Sequence, residues 1–115
     1  MATSFELNHD QWHPFFARLN RDFKGRGVAL QHSDDRHGLE SEVQSLPLLG
    51  ISADETREGI DTVVRVQAGY PGRGSVTEFV AAPTRVHFTE DADGKVGLLQ
   101  IESRTGQVLV VDFGA

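Results

Sequence analysis

TRVHFTE-DADGK-VGLLQIE-SRTGQ-VLVVDF, residues 84–113, is the stretch whose chemistry decides the fold. Val86 and Phe88 alternate with Arg85, His87 and Thr89, the two-residue period of a half-buried strand. Asp91-Ala92-Asp93-Gly94 and Arg104-Thr105-Gly106 are turn sequences, because aspartate bonds its own backbone and glycine takes up positive φ without steric cost. Strands at Thr84–Glu90, Val96–Glu102 and Val108–Phe113 are therefore predicted as two successive antiparallel hairpins.

Working outward, the same punctuation recurs. Val76–Ala81 is separated from the first hairpin by Pro83, which interrupts a ladder because it donates no hydrogen bond. Ile60–Ala68 places Ile60, Thr62, Val64, Val66 and Ala68 on one face, and the glycine-rich Gly69–Gly74 loop follows it. Further upstream come Val28–His32, a polar turn from Ser33 to Gly38, the alternating Leu39–Leu46, and Leu48-Leu49-Gly50-Ile51 after Pro47. Pro47 and Gly50 predict a sharp bend or bulge there, and Asp54–Gly59 a charged loop. Every connection is shorter than the crossover a parallel pair demands, so the sheet is expected to be antiparallel and not of the α/β class.

Residues 8–24 read as a helix. Asn8 supplies an N-cap, Gln11 completes a capping box and Leu7 is placed to staple onto Trp12. Trp12, Phe15, Phe16, Leu19 and Phe23 form one apolar stripe at spacings of three and four. Pro14 opposes a continuous helix, which predicts either a kink or a separate capped turn over residues 8–12. The expected architecture is α+β, mainly β: an N-terminal amphipathic helix packed on a five- to six-stranded antiparallel small barrel of Sm-like or SH3-like type. An open antiparallel sheet with the helix on one face is the alternative.

A length of 115 residues suits one domain, with the helix at 8–24 and the strands over 28–113. With 38% apolar and 24% charged residues the composition is globular, and no apolar run is long enough to span a bilayer. Residues 1–7 lack the features of a secretory signal, so a cytoplasmic location is expected. The chain has no cysteine, which excludes disulfides, thiolate nucleophiles and cysteine-ligated zinc. A formal charge of −6, with Lys and Arg scattered and Arg21, Lys24 and Arg26 their densest group, disfavours nucleic acid as a partner.

The segments Leu46-Pro47-Leu48-Leu49-Gly50-Ile51, Pro83-Thr84-Arg85-Val86 and Ile101-Glu102-Ser103, closed by Val110-Val111-Asp112-Phe113, carry a resemblance. With Asp10-Gln11-Trp12 at the helix start, the chain resembles one bacterial domain-of-unknown-function family over roughly residues 9–113. The family pattern often has histidine just before the Pro-Thr-Arg-Val strand, where Ser75 and Glu78 stand here. The resemblance implies a fold and no activity.

Motifs for chemistry are weak. His9 and His13 lie four apart on the helix with Asp10 between them, but the pair falls opposite the aromatic stripe. His32, Asp34, Asp35 and His37 cluster in a turn whose own chemistry accounts for them, and Asp91 with Asp93 lacks the later oxygen ligands of a calcium loop. No metal or cofactor site is expected, and no catalytic residue is assigned. The first functional expectation is a non-enzymatic module binding a protein or small ligand through the Asp54–Gly59 and Gly69–Ser75 loops, with Tyr70 and Arg73 as contacts. The second is a small enzyme or ligand-sensing pocket formed by Arg65, Arg85, His87 and Glu102. An RNA-binding ring barrel ranks third, and a monomer or dimer is expected.

Overall fold

The computed structural model describes residues 3–34, 39–55, 62–70 and 72–114. Strand β1 (Thr3–Leu7) leads through a 3-10 turn (His9–Gln11) into helix α1 (Trp12–Phe23). Seven strands follow: β2 (Gly27–Asp34), β3 (Leu39–Glu55), β4 (Thr62–Gly69), β5 (Ser75–Ala81), β6 (Pro83–Glu90), β7 (Val96–Ser103) and β8 (Gln107–Asp112). They form one eight-stranded sheet in the order β1-β6-β7-β8-β2-β3-β4-β5, and every strand pair is antiparallel.

This is the open-sheet alternative. β1 and β5 end the order and do not pair with each other, so the barrel does not close, and the strands number eight rather than five or six. The sheet is nevertheless curled. β6 stands second in the order and β5 last, six spacings or about 29 Å apart in a flat sheet, yet Ala82 alone joins them. A second measure agrees: His32 of β2 and Glu78 of β5 meet at 2.7 Å, although a flat sheet would set those strands about 14 Å apart.

The predicted bend lies inside β3. Its first half pairs with β2 as far as Pro47, its second half pairs with β4 from Leu48, and the register slips between Leu48 and Gly50. What sequence punctuation split into two strands and a loop is one strand that changes partner and runs on to Glu55. Its backbone at the switch bonds elsewhere: Leu48 N donates to Arg26 O (2.9 Å), Gly25 N donates to Leu48 O (2.8 Å), and Asn20 engages Ile51 with both ends of its amide. Backbone groups released from a ladder must find such partners, which is why α1 is tied to this point.

At the start of α1 a separate capped turn precedes the helix as expected, but it is the shorter His9–Gln11 and the helix starts at Trp12, two residues before Pro14. Gln11 Oε1 accepts from Asn8 N at 2.8 Å in a capping box, and the α-helix then begins at Trp12. Pro14 falls in the first turn, where its missing N–H has no intrahelical acceptor to lose. The stripe of Trp12, Phe15, Phe16, Leu19 and Phe23 is buried, with Phe15 on Phe88 (4.3 Å between ring centroids) and Phe23 on Phe113 (4.6 Å). Trp12 Nε1 is buried with no hydrogen-bond partner among the described residues.

Register builds the core in rows. Phe88, Leu99, Val111 and Leu30 lie side by side across β6, β7, β8 and β2, and Val86, Ile101 and Leu109 form the next row, which His32 ends. All but His32 in these rows are buried. Complete burial of each such apolar side chain contributes about 1.5–3 kcal/mol.

Candidate functional site

The opposite face of the same strands carries the polar residues. Glu6, His87, Gln100, Val110, Gln31 and Glu42 make one row across six strands, and Arg85 lies beside Glu102 in the next. Arg85 Nε donates to Glu6 Oε1 at 2.7 Å, Arg85 Nη1 stands 3.9 Å from Glu102 Oε2, and His87 Nε2 is 3.0 Å from the same oxygen. The hydrogen bond to Glu6 and its charge, with a smaller contribution from Glu102, raise the Arg85 pKa above its already high ordinary value. The guanidinium is thus a fixed cation. Beside this network His87, Phe88, Leu98 and Gln100 line a small concavity of about 180 Å³. Three of the expected pocket residues, Arg85, His87 and Glu102, therefore meet, and the fourth does not: Arg65 lies on β4 near Asp54, at 3.9 Å.

Arg65 belongs to the other end of the sheet. Its register partner on β5 is Phe79, and β5 is a free edge. Phe79 and Tyr70 are each 54% exposed, among the four large apolar side chains that stand out from the described surface. Tyr70 and Arg73 occupy the β4–β5 loop, where Arg73 N donates to Tyr70 O at 3.0 Å. Gly69 makes that loop possible: at φ 151° it lies so close to the returning chain that a Cβ would stand 2.7 Å from Gly74 O. Arg65 and Phe79 thus pair across β4 and β5, four register positions from the Gly69–Ser75 end where the loop of Tyr70 and Arg73 turns, while Arg85 and His87 lie on the far strands. Phe79 was not predicted as a contact, and alternation within Val76–Ala81 would have placed it outward.

The remaining clusters disperse. His9 leans on Trp12 and reaches Thr62 Oγ1 at 3.3 Å, whereas His13 is exposed. His32 turns inward to Glu78, Nδ1 standing 2.7 Å from Oε2, with both side chains about 15% exposed. Asp35 and His37 lie outside the described residues, as does most of the Asp54–Gly59 loop. Asp91 Oδ1 accepts from the amides of Asp93 and Lys95, both at 2.9 Å, as a hairpin turn requires. No group of three or more potential metal ligands occurs among the described residues, and no helix there is long and apolar enough to cross a membrane.

Residues 3–115 match the model of a family described as "Family of unknown function (DUF5335)". The chain belongs to this family. The match to DUF5335 spans the helix and all eight strands, and its description names no activity. An uncharacterised protein of Aquifex aeolicus (strain VF5) is 27% identical over 106 residues, spanning 92% of this chain and 86% of the relative. No solved structure matches the chain.

Proposed function

We propose that this protein is a non-enzymatic interaction module that takes an extended segment of a partner protein onto the free edge of β5. The observation that carries the proposal is Phe79, more than half exposed on an edge strand with Arg65 beside it and Tyr70 and Arg73 in the adjoining loop. An unpaired edge offers main-chain donors and acceptors to an incoming strand, and exposed aromatic and arginine side chains are the residue types that anchor interfaces. Among the described residues Arg65 is held only by a long, exposed contact to Asp54, so it and Arg73 favour a segment that combines an apolar side chain with carboxylates. This reading keeps Tyr70, Arg73 and Arg65 as contacts and adds Phe79. A cytoplasmic site of action and a monomeric or dimeric state belong to the same proposal.

A second reading rests on the concavity beside His87. Of its lining residues, His87 is held by Glu102 from the network beside it, which suits a small-ligand contact better than proton transfer.

The test places a photoreactive residue at Phe79 or, as a comparison, at Leu98, which is also exposed. A synthetic peptide from the captured region is then bound to the purified protein. Adducts concentrated at position 79, and peptide binding abolished by Phe79→Lys while Leu98→Lys has no effect, are the expected results. Equal capture at both positions, or binding indifferent to Phe79→Lys, overturns the proposal.

A further inference from the structure

Away from the β5 edge, the C-terminal turns of α1 face the β6–β7 hairpin across a cleft of about 380 Å³. Arg18, Arg21 and Asp22 line it from the helix with Phe23, Arg26 from the turn that follows, and Lys95 from the hairpin. Four of the chain's eleven Lys and Arg converge here against one lining carboxylate, a local formal charge of +3 (four cations less one) in a chain of −6. Cations at a helix C-terminus complement the helix dipole, which accounts for Arg21. It does not account for Lys95, which a different element brings to the same cavity.

The contacts leave this charge available. Asp22 takes Arg21 Nε at 3.3 Å and Arg18 Nε at 3.7 Å, so one carboxylate orients two guanidiniums at the rim. Arg26 lies over the Phe23 ring, 6.0 Å from its centroid, a contact that positions the cation without neutralising it. Among the described residues no carboxylate comes within 4.0 Å of the Arg26 or Lys95 cations. In the hairpin Asp91 is bound by the amides of its own turn, and the Glu90 carboxylate lies beside Gly94; among the described residues neither Glu90 nor Asp93 forms an ion pair with Lys95.

We infer that this cleft is a binding site for a compact, multiply charged phosphate anion: a diphosphate or phosphate ester of a small molecule. Arginine forks match phosphate oxygens in pairs, and lysine adds a point charge. The volume lies at the lower end of small-ligand sites, and the apolar Phe23 gives an organic substituent a surface to rest on. A long polyanion would meet the protein's overall negative field, whereas a small one enters only the local positive one.

Amide NMR titration with sodium pyrophosphate at fixed ionic strength tests this. Saturable shifts confined to residues 18–26 and 94–96 are expected, with affinity reduced about tenfold or more in R26Q/K95Q, as loss of charge-assisted hydrogen bonds predicts. Chloride or sulfate should displace pyrophosphate poorly. Both substituted side chains are polar at the rim, and K95Q alone serves if the double variant loses its native spectrum. Shifts that never saturate, that spread equally to Arg65, Arg73 and Arg104, or that survive both variants overturn the inference. Tighter binding of a short single-stranded oligonucleotide than of pyrophosphate also overturns it.

Discussion

Ala82 has φ 51°, in the left-handed region where a side chain is strained, and it is the non-glycine described residue to do so. Two hydrogen bonds keep it there: Ala82 N donates to Thr62 O and Arg104 N to Ala82 O, each at 3.0 Å. These bonds tie the β5–β6 joint to the start of β4 and to the β7–β8 turn, joining strands from the two ends of the curled sheet. Relief of left-handed strain by a residue without Cβ outweighs the entropy added to the unfolded chain. Ala82→Gly is therefore expected to stabilise the protein by about 0.5–1 kcal/mol in urea unfolding. Equal or lower stability would show that the joint is not strained. Residue-scale chemistry also explains which site predictions were legible. Arg85, His87 and Glu102 alternate with apolar neighbours, so their shared face could be read directly. Glu6, 79 residues from Arg85, could not. The same distance problem hid His32 and Glu78, 46 residues apart.

Elements became legible where local signals agreed. The Asn8–Gln11 capping box, the aromatic stripe and the two hairpins turning at Gly94 and Gly106 all stand as predicted, because each is fixed by residues within a few positions. β1 was missed because Thr3–Leu7 is only five residues long and exposed over nearly its whole length; pairing with β6, about 80 residues away, makes it a strand. β3 was divided because Pro47 looks locally like a stop, whereas it ends one pairing just before another begins. That handover is where α1 is anchored. Asn20 donates to Ile51 O at 2.9 Å and accepts from Ile51 N at 2.8 Å, replacing ladder bonds at a partly buried bulge. Asn20→Ala leaves both backbone groups without these partners, and a loss of about 1–3 kcal/mol is expected by chemical denaturation. A loss under about 0.5 kcal/mol would mean that water replaces the amide and that α1 is held by its aromatic stripe alone.

Over the whole molecule, bends at Pro47, Gly50 and Pro83 led to a barrel in the sequence, and the curl they indicate is present. Closure is a different property, because it depends on pairing between the first strand and the fifth, which no local residue specifies. β1 and β5 do not pair, leaving an edge that carries Phe79 beside Arg65, and the interaction role proposed for the protein depends on that edge being free. Closing the barrel would remove it. Cross-strand NOEs and amide hydrogen exchange of the isolated protein measure this most directly. The expected result is contacts for every neighbouring pair from β1-β6 to β4-β5, none between β1 and β5, and rapid exchange at the outward amides of β5 while β8 and β2 exchange slowest. Continuous β1–β5 NOEs with β5 amides protected to the same degree as β8 would contradict the account.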